Sequence, residues 1–268
     1  MLIWLDEIGD ADRLRVGGKA FVLARLRRAG LPVPDGFVLT ADEAVDGDHE
    51  AALAAAAAHL GRAAAVRSSG ALEDTSEASF AGQYRTLLDV SPDAVARSVE
   101  TVRRSAADAA GYAQALGLHG APAPSSLPVL VQRFVEARAA GVVFSRHPLD
   151  PGAMLVESHA GPGEGVVSGT VRPERYVLDR ETGELRDGAP RGSLAADLHQ
   201  VFLLARRAEE LLGAPQDVEW ALATDGVVLL QSRPITVEVE PPRDPRLRRL
   251  TRANVGEVLP DPVTPLTA

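Results

Sequence analysis

Ala63-Ala64-Ala65-Val66-Arg67-Ser68-Ser69, followed after an acidic spacer by Ser79-Phe80-Ala81-Gly82-Gln83, is the stretch on which the reading of this chain turns. The apolar run delivers a guanidinium and two hydroxyls together. The small-residue segment beyond it offers backbone N–H groups with little side-chain bulk in the way. A planar guanidinium suits phosphate oxygens, and clustered backbone amides make a concavity for anions. Two readings stand at this point. Arg67 either grips a polyphosphate or pairs with a carboxylate such as Glu73 or Asp74; Gly82-Gln83 either covers phosphates as a loop or turns the chain into the next strand.

The bulk properties frame that choice. At 268 residues the chain suits one two-lobed domain or two small ones. It is 46% hydrophobic and 24% charged with a net charge of −9, which argues against a nucleic-acid or anionic-membrane surface as its main business. An acidic protein that binds a nucleotide takes it as a magnesium complex, with local basic residues set against the global field. There is no cysteine, hence no disulfide framework or thiolate metal site. Met1–Glu7 carries no basic, apolar leader pattern, and no apolar run approaches the roughly 18 residues of a membrane span. A cytoplasmic location is the expectation.

Punctuation along the chain predicts alternating elements. A strand at Leu2–Leu5 leads through Val16-Gly17-Gly18-Lys19 to a helix at Ala20–Ala29, closed by Gly30 and an extended Leu31-Pro32-Val33-Pro34 exit. A strand at Gly36–Thr40, an alanine-rich helix at Glu50–Leu60, a strand at Arg85–Val90 and a long helix at Pro92–Leu116 complete the first half. Gly120–Ser126 reads as a linker between lobes. The second half then opens with a strand at Val129–Gln132 and continues through Gly141–Phe144, Met154–Glu157 and Arg175–Leu178. The helix Leu194–Leu212 precedes two strands, Val218–Ala223 and Val227–Gln231, joined by the tight turn Thr224-Asp225-Gly226. These boundaries give lobes at 1–125 and 126–240 and a polar linker or tail at 241–268.

Three further features carry chemistry. Lys19 follows two glycines and precedes a helix, which sets an ammonium beside bare amides at a positive helix end, or else is an ordinary turn; the spacing is not that of a Walker A loop. In Gln216-Asp217-Val218-Glu219-Trp220 and Gln231-Ser232-Arg233-Pro234, the strand period puts Asp217 with Glu219, and Gln231 with Arg233. Paired as a hairpin, these set hard oxygen ligands for magnesium beside a guanidinium, or make a solvated cross-strand salt bridge. The histidines are scattered without metal-ligand spacing. His147, in Ser145-Arg146-His147-Pro148, reads as a turn residue or as a phosphate carrier. Gly161–Gly165 lacks the dinucleotide-binding spacing.

Taken in order, Gly17-Gly18-Lys19, Gly30–Val38, Val66–Gln83, Val131–Val135, Ala140–Pro148, Gly163–Gly169 and Gln231–Pro234 form a joint pattern. It resembles the ATP-binding domain of the phosphoenolpyruvate synthase and pyruvate phosphate dikinase family, which includes rifampicin phosphotransferase. Asn254–Pro260 and Pro262–Leu266 resemble the linker after that domain. The resemblance implies an α/β (α+β) ATP-grasp fold whose two lobes close on a nucleotide. It also implies phosphate contacts with catalytic roles for Lys19, Arg67 and Arg233, and magnesium ligation by Glu219 and Gln231. Gln132, Arg133, Phe134 and Val135 fall at the adenine; Ser79, Gly82 and Gln83 fall in the phosphate-covering loop. Family members use ATP and Mg2+ to phosphorylate a histidine on a separate swivelling domain, which carries the phosphoryl group onward. Phosphoenolpyruvate synthase and rifampicin phosphotransferase release AMP and phosphate. Two departures set further expectations. The stretch from Thr40 to Val66 is short for the family, which trims the first lobe. No histidine carrier signature follows before Ala268, so the expectation is the ATP half-reaction alone, completed by a histidine domain in trans or on further sequence. A non-catalytic ATP-sensing module and a stand-alone ATP-grasp ligase or kinase are the competing readings.

Overall fold

The computed structural model describes residues 1–41, 47–70, 85–115, 127–161, 173–188 and 194–235. By contact the chain divides into two compact units, Met1–Val135 and Glu136–Ala268. Each is an antiparallel sheet with helices, an α+β arrangement in which one sheet face can be packed and the other left for polar groups.

The first unit contains β1 (Leu2–Trp4), α1 (Arg13–Arg28), β2 (Gly36–Leu39), α2 (Gly47–Leu60), β3 (Ala64–Ser68), β4 (Thr86–Val90), α3 (Val95–Ala115) and β5 (Val129–Arg133). Its sheet runs β1-β2-β5-β3-β4. Alternation along the strands sends Phe37, Leu39, Ala64, Val66, Val129 and Val131 to one face, where they form a core with Leu53, Ala57 and Leu60 of α2 and Val95, Val99 and Val102 of α3. The alanine-rich α2 is thus a core helix with a narrow apolar stripe. The predicted lobe boundary at 125/126 is corrected: β5 pairs with both β2 and β3, so the strand expected to open the second lobe sits in the middle of the first sheet.

The second unit contains β6 (Ala139–Phe144), β7 (Ala153–Ala160), β8 (Glu174–Asp179), β9 (Leu185–Asp187), α4 (Leu194–Leu212), β10 (Gln216–Ala223) and β11 (Gly226–Pro234), in the sheet order β11-β10-β6-β7-β8-β9. Leu198, Val201, Phe202, Ala205 and Ala208 of α4 recur at helical spacing and are buried. The helix contacts β6, β10 and β11. On β10, Val218, Trp220 and Leu222 are fully buried on one face, while Asp217 and Glu219 project from the other. Among the described residues no helix is long and apolar enough to cross a membrane. The predicted linker and the tail 241–268 lie outside the described residues.

Candidate functional site

The first unit joins two motifs that lie far apart in sequence. Helix α1 begins earlier than its predicted start, and it is broken at Gly17, where φ is 79° and ψ 172°. That conformation is essentially restricted to glycine. A Cβ at Gly17 would lie 1.3 Å from the carbonyl oxygen of Ser69. The close approach lets Ser69 act as a latch. Its Oγ donates to the carbonyl of Val16 at 2.7 Å and accepts the N–H of Ala20 at 3.0 Å. The N–H of Gly18 donates to the carbonyl of Gly70 at 3.4 Å. Lys19 is therefore held beside the end of β3, two residues beyond Arg67. One expectation is corrected here: the amides of Gly18 and Ala20 are engaged by the Ser69-Gly70 segment, so they are not bare donors for an anion. The ammonium of Lys19 is the cationic group this turn supplies.

Arg67 is 8% exposed and lies opposite Leu130 on β5 and Thr86 on β4. Ala65 and Arg67 share a strand face, as do Leu130 and Gln132, so Arg67 and Gln132 occupy the same side, opposite the core of α2 and α3. Gln132 is buried between Gly36 and Ala65, and its Nε2 donates to the carbonyl of Pro34 at 3.4 Å. Its Oε1 is buried with no hydrogen-bond partner among the described residues. The backbone N–H groups of Arg133 and Phe134 donate to the carbonyls of Asp35 and Ala63, and Val135 is half-buried. Ser79, Gly82 and Gln83 lie outside the described residues, as do Glu73 and Asp74.

In the second unit the hairpin forms as predicted, with one decisive irregularity. From the turn, Ala223 faces Gly226 and Trp220 faces Leu229; beyond a bulge, Glu219 faces Gln231 and Asp217 faces Arg233. Continued without the bulge, Glu219 would face Leu230, and Gln231 would turn to the apolar side. The extra residue brings Glu219, Gln231, Asp217 and Arg233 onto one face. Arg233 Nε donates to Asp217 Oδ2 at 2.7 Å, with Asp217 7% exposed. The hairpin thus holds a salt bridge, Asp217–Arg233, which is buried at Asp217 rather than solvated, and two register pairs away on the same face it sets Glu219 opposite Gln231. Among the described residues no three His, Asp or Glu gather into a metal cluster. The Glu219–Gln231 pair nevertheless suits magnesium, which binds through one or two protein ligands and completes its shell with water and phosphate.

His147 resolves as a turn residue. Its Nδ1 accepts the N–H groups of Leu149 at 3.0 Å and Asp150 at 3.2 Å, so the ring proton sits on Nε2. Burial lowers its pKa, with Arg175 pushing the same way and Asp150 opposing. Ser69 and Asp217, which the sequence pattern offers as a hydroxyl beside Arg67 and as a carboxylate beside Glu219, act here as position-holding residues, Ser69 for the Lys19 turn and Asp217 for Arg233.

Residues 47–194 match the family described as pyruvate phosphate dikinase, AMP/ATP-binding domain. The chain is 33% identical to the prodigiosin synthesizing transferase PigC of Serratia marcescens, an alignment covering 94% of this chain and 36% of PigC. It is 29% identical to the rifampicin phosphotransferase of Streptomyces sviceus, covering 98% of this chain and 39% of the relative. The chain thus spans well under half the length of these curated relatives. Among solved structures, the N5-carboxyaminoimidazole synthase of Aspergillus clavatus overlaps 81% of this chain and 44% of its own, at 14% identity and a TM-score of 0.46.

Proposed function

Because the chain belongs to the pyruvate phosphate dikinase AMP/ATP-binding domain family, with the α+β two-unit build of an ATP-grasp domain, we propose that it binds magnesium-ATP and passes a phosphoryl group to a histidine on a separate swivelling domain. The observation that carries this reading is the bulge-set register: Glu219 opposite Gln231, with Arg233 two residues along the strand on the same face. Two hard oxygens beside a guanidinium form a donor set matched to phosphates held through magnesium. When bound, the ion would neutralise phosphate charge between Glu219 and Gln231.

The chain's own groups do the rest by position and charge. In the first unit Ser69 holds the Lys19 turn two residues beyond Arg67, and these two cations are its proposed phosphate contacts. In the second unit Arg233, oriented by Asp217, is the proposed phosphate contact beside the Glu219–Gln231 pair. Phosphoryl transfer requires little covalent chemistry of the protein, and its charge is met by fixed cations that need no reorganisation. The acceptor in this reading is an imidazole nitrogen of the swivelling domain, in trans or on further sequence. His147 has its Nδ1 committed to two backbone donors, as suits a turn residue.

Calorimetry with ATP in the presence and absence of magnesium tests the binding step. Mixing the protein and ATP with a family histidine domain and following AMP tests the transfer. Tight binding with no AMP in the presence of that domain refutes the transferase reading and leaves an ATP sensor; turnover of ATP with a small acid and no histidine domain points to a ligase.

A further inference from the structure

Glu157 lies on β7, 2% exposed, in a single cross-sheet row that runs Gln231–Glu219–Val142–Glu157–Arg175. Directly opposed residues in an antiparallel sheet share a face, so Glu157 stands on the same face as the Glu219–Gln231 pair. One of its carboxylate oxygens is accounted for: Oε1 accepts Arg175 Nε at 2.7 Å. The other, Oε2, is buried with no hydrogen-bond partner among the described residues. A buried carboxylate oxygen without a donor is costly, and folded proteins retain such groups where a ligand or ion completes them.

The position says which donor. Two strand spacings separate Glu219 from Glu157, about 9–10 Å at the usual interstrand distance. A nucleotide whose phosphates sit at Glu219 and Gln231 and which extends along the row brings its sugar to Glu157, with Val142 beneath the stretch between. A carboxylate only accepts hydrogen bonds. ATP offers it just two kinds of donor, the ribose hydroxyls and the adenine amine, and the hydroxyls are the nearer to the phosphates. We propose that Glu157 is a specificity residue that accepts a hydrogen bond from a ribose hydroxyl of the bound nucleotide through Oε2. Arg175 holds the carboxylate in place through Oε1. This assignment rests on the magnesium-ATP reading above.

Calorimetry with ATP, 2′-deoxy-ATP, 3′-deoxy-ATP and inosine triphosphate, each with magnesium, tests it on the wild type and on Glu157→Gln. In the variant the amide oxygen keeps the Arg175 contact, and the NH2 group replaces the accepting oxygen. A hydrogen bond to a charged group sets the scale. The wild type is expected to prefer ATP to at least one deoxy analogue by about tenfold or more. Glu157→Gln should lose ATP affinity by a similar factor, keep its affinity for that analogue, and so lose the discrimination. Inosine triphosphate, which lacks the amine but keeps both hydroxyls, should behave like ATP throughout. Wild-type protein that binds ATP and both deoxy analogues equally overturns the proposal without any variant. It is also overturned if Glu157→Gln, shown folded by circular dichroism, keeps the wild-type preference or weakens every nucleotide equally, or if the discrimination follows the amine. In those cases the magnesium-ATP reading survives; wild type that binds no nucleotide sinks both.

Discussion

Gly17→Ala isolates the latch between the Lys19 turn and the end of β3. Two costs can be read from the structure. The backbone at φ 79° and ψ 172° lies in a region essentially closed to residues with a Cβ, a penalty of about 1–3 kcal/mol. The added carbon would also lie 1.3 Å from the Ser69 carbonyl oxygen and 2.5 Å from its carbon. Ordinary contact starts near 3.4 Å, so the strand end must retreat by roughly 2 Å, the difference between 3.4 and 1.3. That retreat separates Ser69 Oγ from Val16 and Ala20, two buried hydrogen bonds of about 1 kcal/mol each. The sum is about 3–5 kcal/mol. Gly30→Ala is the matched control: its φ is also positive, at 85°, but nothing lies within 4 Å of the added carbon, so only the left-handed backbone cost of about 1–2 kcal/mol applies. Urea unfolding of both variants, with magnesium-ATP binding to the folded fraction, gives the comparison. Gly17→Ala should be the less stable by about 2–3 kcal/mol and should bind ATP more weakly. If the two variants unfold within about 0.5 kcal/mol of each other, the reasoning about the latch is wrong.

The other expectations concern the cations, the metal pair and the buried turn. Arg67→Ala should weaken magnesium-ATP binding about tenfold or more by calorimetry, since a charge-assisted phosphate contact is lost; unchanged affinity removes Arg67 from the site. Arg233→Ala removes the ion-pair partner of the buried Asp217 carboxylate, so it should cost about 1–3 kcal/mol of stability as well as affinity. Adding Asp217→Asn should restore stability but not binding; recovery of both would make the pair purely structural. Glu219→Ala and Gln231→Ala should raise the magnesium concentration needed for half-maximal ATP binding, and a magnesium titration that does not move argues against both ligands. For His147 the folded pKa is depressed by burial, so the unfolded chain binds the extra proton. Its contribution to stability is present above the ordinary histidine value and is lost as pH falls through the folded one. Wild type should therefore lose more stability between pH 7 and pH 5 than His147→Gln, and parallel pH profiles would exclude the effect.

Local pattern made much of the first unit legible. The Gly30 stop of α1, the extended proline exit and the alternating strands all follow from backbone preferences that act over a few residues. The place of β5 does not. Val129–Arg133 reads as a buried strand wherever it goes, and the choice between two sheets is made by pairing with Gly36–Leu39 and Ala64–Ser68, some sixty to ninety residues earlier. The Ser69 latch is hidden for the same reason: a serine and a glycine some fifty residues apart carry no joint signal until the backbones touch. What local pattern did offer was the paired glycines before Lys19, an instance of a backbone demand that only glycine meets.

The hairpin shows how a correct local reading can still leave the site undetermined. The turn at Thr224-Asp225-Gly226 sets the register of the pairs nearest it, and Ala223 with Gly226 through Trp220 with Leu229 follow that count. Carried on, the same count opposes Glu219 to Leu230 and sends Gln231 and Arg233 to the face of Val218 and Trp220, where fully buried apolar side chains leave no place for a guanidinium. Burial therefore selects the bulge. With one extra residue, Leu230, taken up in β11, the ladder resumes with Gln231 opposite Glu219 and Arg233 opposite Asp217, and each polar group returns to the polar face. The energetic pressure that creates the irregularity is thus the cost of burying a charge, and the same pressure assembles the proposed magnesium ligands. Deleting Leu230 should make this visible: either the strand keeps the turn's count, and Arg233 and the metal pair leave their face, or the turn rearranges to preserve them. In the first case magnesium-dependent ATP binding disappears; in the second it survives with a hairpin whose turn has moved, and hydrogen exchange at Ala223 and Gly226 tells the two apart.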